Sequence, residues 1–370
     1  MVKKRQSNFE LMRIVSMLFV VMWHVILHSN LYNSTGATKF FLEFLILIGI
    51  VHINSFIIVT GYFQSDKQFK WRKFFQTFSI TWFYKAIIAI IFFIVIPGLI
   101  SKGELLKELL PLDFRDYWYI NCYLLLYLLS PFINKLISNL RQKDYRKLLI
   151  LLFIVFSIIP FISNQGTVQN NGYTIVQFIF MYLIGAYLKK YPIDNNRHFK
   201  NYSKNKKQIA FLFLAITFLI FNFMMLNFSK ILFSFDSKIL NEIGTFIFNN
   251  NSLYSNPFVI VQSIFYFLFF STMNFSSKKI NYIARYTLDV YLIHESYYIL
   301  KFLYKWVKID VVLKYKYYTV ILAVLIVTLI IFFSCVAIGI IRNTIFKLFN
   351  KIKPYQNFKE KIKKYISNIY

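Results

Sequence analysis

From residue 11 to residue 345 the chain keeps returning to apolar runs of roughly twenty residues, parted by polar loops. As an α-helix, a run of that length spans about 30 Å, the thickness of a bilayer's hydrocarbon core. The runs fall near 11–29, 41–63, 74–99, 117–138, 147–163, 173–189, 208–228, 255–274, 282–304 and 317–345. They predict an all-α integral membrane protein, a single bundle of about ten transmembrane helices. With 58% hydrophobic and 21% aromatic residues, a water-soluble domain is excluded. The first run is too long for a removable signal peptide and lacks a small-residue cleavage site, so it is expected to stay as an anchor. Residues 1–346 then form one transmembrane domain and 347–370 a basic cytoplasmic tail, expected to lie on anionic headgroups.

The formal charge of +28 invites nucleic acid as a partner, but its distribution argues for a membrane. Lysines and arginines concentrate in alternate loops: Lys3 to Arg5, 67–73, 135–147, 189–207, Lys278 with Lys279, and the tail. The positive-inside rule places those segments in the cytoplasm, with both termini, and predicts a multi-pass protein of the cell membrane. Loop 305–316, with four lysines, breaks the alternation. Cys122 and Cys335 both fall inside apolar runs, so neither a disulfide nor a metal site is expected. No Gly-rich phosphate loop and no Gly-x-Ser-x-Gly elbow occurs, which argues against an ATP-driven pump.

The chemistry concentrates in the first run. Arg13 and His24 are strongly basic groups within an apolar segment, where a titratable side chain is costly and usually functional. Eleven residues make about three turns, so both lie on one helical face, about 16 Å apart. The plain alternative is an arginine that snorkels to the headgroups and a histidine bonded to a neighbouring helix. Arg13 has the planar fork suited to phosphate oxygens, and His24 can take and return a proton. Glu10, three residues before Arg13, either holds the guanidinium or serves the helix dipole. His28 is a second proton carrier or an interfacial residue.

The stretch NFELMRIVSMLFVVMWHVILH, from Asn8 to His28, resembles the first helix of the acyltransferase 3 family, with its Arg-x10-His motif. Three further stretches are similar to that family: NSFIIVTGYFQ (Asn54 to Gln64), DYWYINCYLLLYLLSPFIN (Asp116 to Asn134) and ARYTLDVYLIHES (Ala284 to Ser296). The resemblance implies transfer of an acyl group, usually acetyl from acetyl-CoA as co-substrate, to a hydroxyl of a cell-surface polysaccharide or its polyprenyl-linked precursor. It makes His24 the catalytic base and Arg13 the contact to CoA phosphates or a brace for the site. No bound cofactor is implied. Lys70, Arg72 and Lys73 at the inner mouth would add to the field that draws in the anion, or are ordinary loop charge. Many glycan-modifying members carry Trp-Ser-Leu-x-x-Glu where this chain has Trp118-Tyr119-Ile120-Asn121-Cys122-Tyr123. With no carboxylate there, a partner for His24 must come from elsewhere, with His294, Glu295 and Glu43 as candidates. Trp118, Tyr119 and Tyr123 are expected either to stack on a sugar or to belong to an interfacial aromatic belt. His294 and Glu295 are further candidates for the acceptor site, Asn54 for structural support, and Asn54 or Asn121 for an oxyanion contact. A polysaccharide exporter or flippase is the competing function, and other envelope-polysaccharide assembly proteins are candidate partners.

Overall fold

The computed structural model describes residues 5–110, 117–163, 170–195 and 199–349. Lys3, Lys4, Asp116, most of loop 164–172 and nearly all of the basic tail from 347 onward lie outside the described residues. Within them the chain is helical, with no strand. The elements are α1 (Ser7–His28), α2 (Gly36–Gly49), α3 (His52–Gln64), α4 (Trp71–Val95), α5 (Lys102–Leu109), α6 (Trp118–Asn139), α7 (Gln142–Phe153) and α8 (Ile159–Ser163). They continue with α9 (Ile175–Lys190), α10 (Lys204–Leu232), α11 (Lys238–Asn251), α12 (Pro257–Thr272), α13 (Lys278–Ile283), α14 (Thr287–His294), α15 (Tyr297–Val307) and α16 (Tyr317–Phe349).

Seven stretches among the described residues are long and apolar enough to cross a membrane: α1, α2 with α3, α4, α6, α7 through to Ile162, α10 and α16. The apolar runs at 173–189 and 255–274 became α9 and α12, each 16 residues, or about 24 Å. The run at 282–304 is not one helix. It opens with α13, tightens into a 3-10 turn at Ala284–Tyr286, runs as α14 to His294, and restarts as α15 after Glu295 and Ser296. Two helices arose where no apolar run marked them. α5 is set by a capping box in which Ser101 and Glu104 satisfy each other's backbone amides. α11 follows α10 and packs back on it. At α12, Asn256 caps the amides of Phe258 and Val259 while Pro257 takes the first helical position.

Two apolar cores lie side by side. One gathers α1, α4, α14, α15 and α16, with Val21, Val25, Ile88, Leu292 and Phe332 at its centre. The other gathers α3, α6, α9 and α12 around Ile57, Phe178, Tyr182, Val259 and Phe267. Trp23 and Tyr119 pack against both, so the seam between the cores runs along α1. α3 and α9 cross almost backbone to backbone at Gly61 and Gly185. A Cβ on Gly61 would stand 2.1 Å from the Tyr182 carbonyl oxygen, and one on Gly185 2.0 Å from that of Ile58. Small residues of this kind permit close helix approach where lipid gives helices no hydrophobic drive to associate. A buried charge pair fixes α14: Asp289 accepts from Arg342 Nη2 at 2.6 Å, from Arg342 Nε at 2.9 Å and from the Tyr84 hydroxyl at 2.6 Å. Outward-facing apolar side chains such as Ile150, Ile162, Phe213 and Ile330 suit a lipid surround.

Candidate active site

The Arg13 and His24 side chains both belong to α1 and lie at different depths along the seam. Near the N-terminal end of α1, Arg13 Nη1 donates to Glu10 Oε2 at 3.2 Å, and Arg5 stands 3.7 Å from the other carboxylate oxygen. Glu10 is buried while Arg13 keeps about a third of its side-chain surface, 32%, accessible. Facing Arg13 is α6, where Tyr119, Tyr123 and Tyr127 recur every four residues and so line one helical face. The Tyr119 and Tyr123 rings are stacked, 6.3 Å apart, and the Arg13 charge reaches both hydroxyls. Both tyrosines are half-buried. Tyr127 ends the row, where its hydroxyl accepts from the Lys70 amide at 3.1 Å.

At the other end of the seam, His24 meets the broken helix. His294 Nδ1 donates to the Val290 carbonyl at 2.5 Å, which leaves its Nε2 as an acceptor. His24 Nδ1 lies 3.1 Å from that Nε2 and therefore supplies the proton of the bond. His24 Nε2 is then the nitrogen with a free lone pair. Glu295 Oε2 stands 2.8 Å from His24 Nδ1 but off the axis of its N–H, so this buried oxygen has no aligned hydrogen bond. It acts on the ring as a negative charge. The interruption after His294 makes this possible, because Glu295 leaves the helix and can turn toward the ring its predecessor already holds. The three donor atoms fall within 4.8 Å of one another, so among the described residues this set could hold a metal ion. Their bonds to one another account for the same spacing.

A second shell braces the pair. His52 bonds the Gly49 carbonyl at 2.6 Å and the Tyr254 hydroxyl at 3.1 Å, and its ring meets Trp23 edge-on. Asn54 donates to the Tyr254 carbonyl at 2.9 Å and accepts from Gln177 at 3.0 Å. Trp118 stacks on Tyr254 and packs on Tyr173. His52, Gln177 and Tyr254 come from positions far apart in the chain, and no local pattern in the sequence marks them. His28 lies one turn further along α1, stacked on Tyr304, with its ring 5.3 Å from that of His24.

The fold separates other candidates from this centre. Glu43 is held by Lys230, with Lys39 at 4.0 Å, so it is not a partner for His24. Lys70, Arg72 and Lys73 are exposed at the start of α4. Cys122 and Cys335 are both free thiols.

A paired arginine at one depth of a helical bundle, and a histidine pair with a carboxylate at another, define a multi-pass membrane protein with the side chains of reaction chemistry in its interior. A family model described as an acyltransferase domain matches residues 6–340, nearly the whole chain, and the protein belongs to the acyltransferase 3 family. No curated protein and no solved structure matches it.

Proposed function

We propose that this protein is a membrane O-acetyltransferase that moves an acetyl group from acetyl-CoA to a hydroxyl of a cell-surface polysaccharide or its lipid-linked precursor. The observation that carries this reading is the His24 arrangement: Nδ1 committed to His294, Glu295 alongside, and Nε2 left as the base. CoA is polyanionic at one end and thin along its pantetheine arm. Arg13 holds its phosphates with charge-assisted bonds at the cytoplasmic side, helped by the field of Lys70, Arg72 and Lys73. The arm runs past Tyr123 and Tyr119 and brings the thioester to His24. Nε2 then takes the proton of the acceptor hydroxyl as it attacks, and Glu295 stabilises the imidazolium. The acceptor reaches this point from the outer half of the bundle. About ten crossings with both termini in the cytoplasm of a cell-membrane protein fit this division into donor and acceptor sides.

The test is the O-acetyl content of surface polysaccharide, by proton NMR, in a deletion strain complemented with wild type, His24→Ala or Arg13→Ala at matched membrane levels. Wild type alone restores the signal under this reading. Equal restoration by all three would remove both residues from the chemistry and favour an exporter or assembly role.

A further inference from the structure

Acyl transfer needs more than a base, because the thioester oxygen gathers negative charge as the acceptor adds and requires donors placed for that moment. The donors bordering His24 can be accounted for one by one. Asn54 is spent on Tyr254 and Gln177, and Asn121 is also engaged. His52 is spent on Gly49 and Tyr254, and the Tyr117 hydroxyl on the Leu292 carbonyl at 2.9 Å. Tyr291 is different. It is only 6% exposed, and among the described residues its hydroxyl closes no aligned hydrogen bond. It precedes His294 and Glu295 by three and four residues, which sets it on their side of α14. Its ring lies 6.4 Å from that of His294 and 5.6 Å from that of Tyr119.

An independent observation meets it there. Among the described residues the first turn of α6 has no side-chain cap: Tyr117 at the N-cap gives none, and the first amide bonded within the helix is Asn121, to the Tyr117 carbonyl. The amides of Trp118, Tyr119 and Ile120 therefore have no acceptor in their own helix, and they carry the positive end of its dipole. The Tyr117 bond to Leu292 pins this turn against α14. The Tyr119 amide faces the Tyr291 oxygen without closing an aligned bond. Trp23 Nε1 and the Tyr304 hydroxyl are also unpaired among the described residues, but neither lies on α14 with His294.

We infer that the Tyr291 hydroxyl and the first-turn amides of α6, with Tyr119 foremost, form the oxyanion site for the thioester carbonyl, which makes Tyr291 a further catalytic residue. The inference rests on the acyltransferase reading. In the step it serves, the acceptor oxygen bonds to the carbonyl carbon and its proton passes to His24 Nε2. The carbonyl π pair moves onto the oxygen, which accepts hydrogen bonds from Tyr291 and the Tyr119 amide. Collapse breaks the carbon–sulfur bond, and the departing CoA thiolate takes the proton from the imidazolium, which gives acetyl ester and CoA thiol.

The experiment uses the purified full chain in detergent, with acetyl-CoA as donor and water as the acceptor, and follows CoA thiol release. Tyr291→Phe keeps the ring and removes only the hydroxyl. It is expected to hold KM within about twofold while kcat falls on the order of 10²-fold, the usual cost of one oxyanion donor. The loss should shrink with chloroacetyl-CoA, whose carbonyl needs less help. A kcat within about threefold of wild type, or a loss confined to KM, overturns the inference. If His24→Ala is inactive while Tyr291→Phe is not, only the oxyanion assignment falls. If wild type cleaves acetyl-CoA no faster than His24→Ala, the acyltransferase reading falls and this inference with it.

Discussion

Gly61→Ala adds one methyl at the tightest helix crossing in the protein, and its cost can be worked from the contact. The new Cβ would stand 2.1 Å from the Tyr182 carbonyl oxygen, 2.8 Å from its carbon and 2.9 Å from its Cα. These are backbone atoms, so no rotamer change relieves the clash. Ordinary contact begins at 3.4 Å, which means that α3 and α9 must part by about 1.3 Å at that point. Overpacking of this kind costs about 1–3 kcal/mol. At about 2–4 °C per kcal/mol, the melting temperature should fall by roughly 5 °C. The opening also reaches the site, because Asn54 lies two turns back along α3 and bonds Gln177 on α9 at 3.0 Å. A separation above 1 Å there breaks that bond and loosens the brace on Tyr254 and His52. The assay is thermal unfolding in detergent by tryptophan fluorescence, beside acetyl-CoA cleavage. Gly103→Ala in α5 is the control, since its Cβ would meet nothing within 4 Å. A Gly61→Ala protein that melts within about 1 °C of wild type would refute the reasoning, because a displacement of that size cannot be free in a close-packed interior.

Two more changes test the parts that hold the site. Arg342→Met leaves Asp289 buried beside Tyr84 without its cation, which should cost about 3–5 kcal/mol. Unfolding in detergent reads this, and an unchanged midpoint would show the pair to be dispensable. Glu295→Gln keeps the shape but removes the charge beside His24 Nδ1, so kcat should drop by about 10²-fold at normal membrane levels. Full activity in that variant would show that the carboxylate plays no part in stabilising the imidazolium.

How much of this was legible in the sequence depends on distance along the chain. Arg13 and His24 share one helix, and helical geometry alone gives their shared face and their separation. The Glu10 contact, three residues from Arg13, is equally local. His52 and Tyr254 stand about 200 positions apart, and only the packing of α3 against α12 brings them together. Nothing near either residue announces the other. α5 and α11 escaped because reading for apolar runs detects helices that bury on all sides or face lipid, whereas these two carry charged and polar residues at about half of their positions. Tyr119 and Tyr123 have the composition of an interfacial belt, and nothing in their local sequence announces that they stand within reach of the Arg13 charge.

The breaks in the helices are harder to read from sequence, and they matter more. An unbroken membrane helix satisfies every backbone group internally and offers a substrate only side chains. This protein interrupts its helices where the site forms: α2 gives way to α3 beside His52, α14 stops at His294, and α6 begins at Trp118. Each interruption releases backbone amides or carbonyls into the interior, which is costly in lipid and tolerable only where protein or a cleft receives them. The interruptions fall along the seam between the two cores, where Trp23 and Tyr119 pack against both. The apolar run 282–304 conceals its own break, since Tyr291, Leu292 and Ile293 are as apolar as a span requires and Glu295 reads as one costly residue within it. What makes that carboxylate bearable is the turn that carries it to His24. The residue that looks most out of place in the sequence is thus the one whose position depends most on the break.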